Sequence, residues 1–237
     1  MVAMRTASPR SPSRTRERIL DASLALFNES GAPNITTNHI ADAAGISPGN
    51  LYYHFRHKED IVMALYGRYE TALNGVLDSG QDAQDAVSDL WLLVHLAFEV
   101  IQDFRFIHRD LSDLSAAYPA LRARFQRSVE AGIARTSAYC LALARAGALD
   151  ASPEEAHALA TNISLVTTYW LNLQALRHAS RGGLAPPDDD TISEGVFQVL
   201  SLITPYLRGA MREDFRRIAL RYLPPPSDRG DCSKPTA

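Results

Sequence analysis

The run Ile35-Thr36-Thr37-Asn38-His39-Ile40-Ala41, continued by Ala44-Gly45-Ile46-Ser47-Pro48-Gly49-Asn50-Leu51-Tyr52-Tyr53-His54-Phe55, decides how this chain is read. Thr36 or Thr37 suits the start of a short helix carrying Ile40, Ala41 and Ala44, because a side-chain oxygen there can accept from unpaired first-turn N–H groups. Gly45 follows as a turn residue. Ser47 is a second cap, and Pro48 stands at the first helical position, where its fixed φ is an advantage. A third helix is therefore expected from Pro48 to Phe55. Ala41 to Ala44 are small enough to let the two helices cross closely, which gives the helix-turn-helix layout.

The third helix has an odd composition for one meant only for packing. Around the apolar anchor Leu51 it offers Gly49, Asn50, Tyr52, Tyr53 and His54. Hydroxyl and ring N–H groups suit phosphate oxygens, and an asparagine can pair bidentately with an adenine edge. Lys58, at the start of the next helix, is placed where an ammonium and a helix N-terminus could hold one phosphate.

Charge agrees with a polyanion-binding end. The first 58 residues hold seven Arg/Lys and four Asp/Glu, a net of +3, whereas the rest of the chain nets −6. Residues 1–13, rich in Arg, Ser and Pro, are expected to form a disordered basic tail. Arg5, Arg10, Arg14 and Arg16 could reach DNA or simply remain solvated.

Outward from this region the periodicity stays helical. Ile19, Leu20, Ser23, Leu24 and Phe27 mark a first helix ending at Gly31. A fourth runs from Lys58 to about Leu77. Val87 to Ile101 is apolar nearly all round, as in a helix buried within a bundle. A short helix is expected over Phe104–Leu114, long ones over Leu121–Ala146 and from Ser152 onward, and a last one that Pro205 kinks and Pro224-Pro225-Pro226 stop. No alternating strand pattern occurs. The fold class is all-α: an N-terminal three-helix domain over 14–60 and a larger helical domain over 61–223, followed by a disordered tail over 224–237.

Other classes find little support. The most apolar stretch, Leu90–Ile101, is too short for a membrane span and carries His95 and Glu99. The N-terminus lacks the apolar core of a signal peptide. Two distant cysteines, Cys140 and Cys232, fit a reduced cytoplasm and neither a zinc site nor a disulfide framework. No HExxH, GxSxG, P-loop or paired Glu-x-x-His motif occurs, so no enzyme, metal or cofactor is expected.

The composite of capped third helix, Leu51-Tyr52-Tyr53-His54-Phe55 and Lys58-Glu59-Asp60-Ile61 resembles the tetracycline-repressor (TetR) family over about residues 14–62. The resemblance implies DNA contacts from Thr36 and Thr37, from Ser47, Pro48, Gly49, Asn50, Tyr52, Tyr53 and His54 in a recognition helix, and from Lys58 to a phosphate. Leu51 and Phe55 match the core anchors. Many relatives carry a smaller residue in place of Asn50, which makes it the expected base-specific contact.

The resemblance also implies a bacterial homodimer that represses from a palindromic operator and is released by a small-molecule effector. Two heptad-like seams suit dimerisation: Leu159, Ile163, Val166, Trp170 and Leu173, and Val196, Val199, Leu200, Ile203 and Leu207. Intramolecular packing competes for the same positions. One recognition helix makes too few contacts, whereas two placed ~34–36 Å apart read a palindrome. Trp91, His95, Phe98, Phe104, Phe106, Arg109, Tyr139, Tyr169, Trp170 and Asn172 are the expected lining of an effector pocket. That set suits an apolar or aromatic molecule, anionic if Arg109 points inward. A same-fold DNA-binding architectural protein without an effector is the alternative.

Overall fold

Local signals in the chain are answered one by one in a computed structural model, which describes residues 12–79, 86–178 and 189–222. The helices are α1 (Pro12–Ser30), α2 (Thr37–Ala43), α3 (Pro48–His54), α4 (Lys58–Ser79), α5 (Ala86–Asp103), α6 (Arg105–Arg109), α7 (Leu111–Ala117), α8 (Pro119–Arg145), α9 (Pro153–His178), α10 (Asp189–Ile203) and α11 (Gly209–Leu220). No strand occurs among the described residues, and the protein is all-α. The expected tails fall mostly outside those residues; α1 already begins at Pro12.

Caps set the boundaries. Thr36 Oγ1 accepts from His39 N–H while His39 Nδ1 accepts from Thr36 N–H, each at 3.3 Å, a reciprocal capping box that starts α2. Ser47 Oγ accepts from Asn50 N–H at 3.2 Å to start α3. Ser152 and Glu155 repeat the reciprocal pairing before α9. Gly45, at φ +60°, turns α2 into α3 in the left-handed region that a side chain would resist.

Two expectations need correcting. The segment expected as one helix over Phe104–Leu114 is two, because Asp110 leaves the helical register at φ −97° and ψ 16° and spends its carboxylate on another element. The last helix does not kink at Pro205 and continue. It ends at Ile203, a 3₁₀ turn spans Thr204–Tyr206, and Leu207 is extended. Pro205 lacks an N–H and its ring crowds the preceding turn, so the ladder stops instead of bending. The freed backbone bonds elsewhere: Asp150 N–H donates to Tyr206 O at 2.7 Å and Arg208 N–H to Ala148 O at 3.2 Å.

The apolar residues gather into two cores. One joins Ile19, Phe27, Ile40, Leu51, Phe55, Ile61 and Leu65 of α1–α4 to Phe106, Ile107 and Leu114 of α6 and α7. The other holds Phe98, Leu159, Trp170, Val196, Val199, Leu200 and Phe215 from α5 and α9–α11. Burial of Phe27, which has no exposed surface, is worth about 2–3 kcal/mol by transfer alone. Because the first core crosses from α1 to α6, the helix-turn-helix is anchored to the C-terminal body.

Candidate functional site

One face of α3 is committed to the core and the other is open. Leu51 is fully buried and Phe55 nearly so, while Ser47, Pro48, Gly49 and Asn50 are exposed. Tyr52 and Tyr53 are 47% and 78% exposed, an unfavourable placement for two large rings in isolation. Tyr53 meets His54 edge to face at 5.2 Å between centroids. Thr37 Oγ1 and Tyr52 Oη are hydrogen-bonded at 3.0 Å, so the start of α2 and the middle of α3 form one polar surface. Thr36 borders it through its cap. The exposed half of α3 thus presents hydroxyls, an amide and a glycine with no Cβ in the way, on a short rigid rod.

Lys58 is placed differently from expectation. Its Nζ donates to the carbonyl oxygen of Ala32 and lies 5.8 Å from the centre of the Phe27 ring. Partial burial holds its pKa below the ordinary lysine range, an effect that the Asp110 carboxylate opposes. In this conformation the ammonium braces the loop before α2. The side chain follows the apolar surface of Phe27 and finds a carbonyl there, which a lysine four methylenes long can reach. Glu59 and Asp60 in the first turn of α4 further reduce the pull of that helix end on a phosphate.

Behind the helix-turn-helix, α4, α5, α6, α8, α9 and α10 surround a cavity of about 460 Å³. Its walls include Leu73, Leu77, Leu90, Leu93, Val94, Ala97, Ile101, Ile163, Val199 and Ile203. Polar groups come from α4, α6, α8 and α9, among them Glu70, Asn74, His108, Arg124, Ser128, Arg135, Ser164 and Thr167. Most are already paired. Arg124 bridges to Glu70 at 2.5 Å, Arg135 to Asp78 at 3.1 Å, and Ser128 Oγ donates to Glu70 Oε1 at 2.5 Å. His108 is fully buried, and loss of hydration pushes its pKa down to about 4, so it is neutral.

Of the ten residues expected to line a pocket, Tyr139 does. The others are drawn elsewhere. Trp91 and His95 pack on Tyr222, whose hydroxyl bonds His95 Nδ1 at 3.2 Å. Phe98 and Trp170 close over Gly195, and the Trp170 indole N–H donates to Thr191 O at 2.7 Å. Phe104 meets Tyr69 edge to face, Phe106 packs against Phe27 at a tilt, and Tyr169 is exposed. Asn172 Nδ2 donates to His108 O. Arg109 points away from the cavity, donating to Phe27 O at 2.6 Å and Asn28 O at 2.9 Å and pairing with Asp110. Sequence reasoning missed His108 and the polar residues of α8. The run around His108 was visible, but which of its side chains turned inward depended on the break at Asp110.

The dimer seams also require correction. Leu159, Trp170, Val196, Val199, Leu200, Ile203 and Leu207 are 0–6% exposed within one chain. Ile163 and Val166 are half-buried, and only Leu173 of the seam residues is well exposed, at 48%. A neighbouring face of α9 is the open one: Leu165, Tyr169, Leu173 and Leu176 step by four, four and three and are each about half exposed or more. The seams share their spacing with core positions, and the core claimed them.

The family model for tetR-family bacterial regulatory proteins matches residues 19–65, and that for bacterial transcriptional repressors matches 68–215, more than half the chain. The protein belongs to the TetR family of bacterial transcriptional regulators. A solved TetR-family regulator from Marinobacter aquaeolei VT8 is 36% identical, superposes with a TM-score of 0.77 and covers 89% of this chain and 99% of its own. The transcriptional repressor KstR2 of Mycolicibacterium smegmatis is 30% identical over 103 residues, 40% of this chain and 47% of that protein, so the match spans about half of that relative. A putative regulator from Saccharomonospora viridis, solved in complex with choline, shares the fold at 20% identity and a TM-score of 0.67, over 83% of this chain and all of its own. Among the described residues no helix is long and apolar enough to cross a membrane.

Proposed function

We propose that the protein is a homodimeric repressor that binds a palindromic operator through α3 and leaves it when a small molecule fills the cavity. The observation that carries this reading is the open face of α3. Asn50, Tyr52 and Tyr53 are solvent-exposed on a helix locked by Leu51 and Phe55, which favours a surface awaiting a partner. Asn50 reads a base edge, and Tyr52, with Thr37 and the Ser47 cap, positions the helix on the backbone. The apolar stripe Leu165–Tyr169–Leu173–Leu176 is the surface that a second copy would cover.

Release by a ligand has a physical route in the short helices between cavity and DNA face. His108 lines the cavity. Its neighbours Arg109 and Asp110 grip the end of α1 through Phe27 O, Asn28 O and the Ala32 N–H. A ligand that binds one setting of α6 more tightly than another shifts the population of both, and with it the separation of the two recognition helices. The choline complex of the Saccharomonospora viridis protein supports a small-molecule role for this fold.

Nuclease footprinting over the DNA upstream of the protein's own gene and its neighbours tests the reading. Protection of a palindrome is expected, and it should be weakened by Tyr52→Phe and relaxed at one base pair by Asn50→Ala. Sequence-indifferent, salt-sensitive binding would instead mark an architectural protein.

A further inference from the structure

The cavity meets solvent between α4 and α8, where three of its described lining residues are exposed: Asn74 on α4, and Arg127 and Ala131 on α8. Its other described lining residues are buried or half-buried. Ion pairs frame this gap. Arg124 bonds Glu70 on one side, and Arg135 bonds Asp78 and Asn74 on the other. Between them the α8 wall consists of Val129, Ala131 and Gly132, and a Cβ at Gly132 would meet no neighbouring atom within 4 Å.

The interior pairs its own polar groups. His108 lies between the Thr168 carbonyl at 3.2 Å and the Tyr69 hydroxyl at 3.1 Å, and Thr167 Oγ1 donates to the Ile163 carbonyl at 3.0 Å. The Tyr66 hydroxyl has no accessible surface and lies within hydrogen-bond reach of Ser128. Around these groups stand Leu73, Leu93, Val94, Ala97 and Val199. Burial keeps His108 neutral, so an ion taken this deep would lose its water and find no opposite charge.

The gap has the opposite character. The guanidiniums of Arg124, Arg127 and Arg135 stand there against two carboxylates, of Glu70 and Asp78. Each carboxylate has its own arginine, and Arg127 has no ion-pair partner among the described residues. Its charge is felt at the Tyr66 phenol on the cavity wall, so the guanidinium lies within reach of the opening. Given the reading of the cavity as the effector site, on which this inference rests, we propose that the effector is an amphiphile, an apolar body ending in one anionic group, with the body inside and the anion at the α4–α8 gap beside Arg127. At the gap an anion keeps part of its water and gains a cation. A hydroxyl there gains no charge pairing, and a cationic head is repelled.

Equilibrium dialysis of the full-length protein at pH 7 against octanoate, octan-1-ol and octyltrimethylammonium tests the proposal with one apolar chain and three heads. Octanoate is expected to bind about threefold more tightly than the alcohol and about tenfold more tightly than the ammonium. Raising salt from about 0.05 to 0.5 M should weaken octanoate about threefold and leave the alcohol within about twofold. Arg127→Glu, at an exposed position, should lower octanoate affinity about tenfold and leave the alcohol within about twofold. If that variant does not fold, judged by circular dichroism, the ranking and salt response of the native protein still decide. The alcohol or the ammonium binding tightest, or octanoate binding indifferent to Arg127→Glu, would overturn the anionic proposal while leaving the cavity an effector site. Absence of binding by all three up to about 3 mM would overturn the cavity reading itself.

Discussion

Asp110→Ala should be among the most destabilising single changes in the chain, and its size can be worked from three contacts. Asp110 Oδ2 accepts from the Ala32 N–H at 2.7 Å, and Ala32 has no exposed surface. Asp110 Oδ1 accepts from Arg109 Nε at 2.8 Å, with the two side chains only 16% and 9% exposed. Its charge also offsets the partial burial of Lys58. Removing the carboxylate orphans one buried N–H, about 1–3 kcal/mol, and leaves one guanidinium without its charged partner, so a net loss of about 3 kcal/mol is expected after partial relaxation. Asp110→Asn keeps an acceptor for Ala32 but loses the charge and the oxygen that accepts from Arg109 Nε, and should cost about 2 kcal/mol, less than the alanine variant because the Ala32 N–H stays paired. Urea unfolding at one fixed protein concentration measures both, since a dimer's stability depends on concentration. A loss below about 0.5 kcal/mol for the alanine variant, or equal losses for the two, would refute the assignment of Asp110 as the clasp between α1 and the C-terminal body.

Three further outcomes follow from other parts of the molecule. Gly195→Ala would drive a Cβ into Phe98 and to within 2.8 Å of Trp170, so a loss of about 2 kcal/mol is expected by thermal unfolding, and a neutral result would mean that the α5–α9–α10 contact is loose. His108 has a folded pKa near 4 against an ordinary value of 6.5. Between those values the unfolded chain takes up a proton that the folded ring refuses, so stability should fall as pH is lowered from about 6.5 to 4, by on the order of 3 kcal/mol in total, and His108→Gln should flatten that slope in urea titrations. Leu173→Glu on the open stripe of α9 should yield a helical monomer by light scattering, whereas an unchanged dimer would place the interface elsewhere.

How much of this was legible in the sequence depended on how local each signal was. The caps at Thr36, Ser47 and Ser152 and the turn at Gly45 act through neighbours within three residues, so the helix-turn-helix was readable nearly to its ends. The cavity behind it was not. Helical spacing identifies an inward face but not whether inward means core, cavity or partner, and Trp170, Val199 and Ile203 answer that question differently from Leu173. Lys58 and Arg109 were misplaced for a related reason: each reaches a backbone carbonyl on another element, at Ala32 and Phe27, and no spacing along the chain encodes that distance. His108 could have been singled out only by knowing that the helix breaks at Asp110, whose carboxylate is held by a contact 78 residues away in sequence.

Selection of bound duplexes from a random-sequence DNA pool, at physiological salt, tests whether α3 reads an operator. Enrichment is expected of a palindrome whose half-sites are spaced for two α3 helices, about one helical turn or a small multiple apart, with loss of one base preference in each half-site when Asn50→Ala is used. Recovery of no common sequence, or of the same sequence with the same affinity from the Asn50→Ala and Tyr52→Phe proteins, would contradict it.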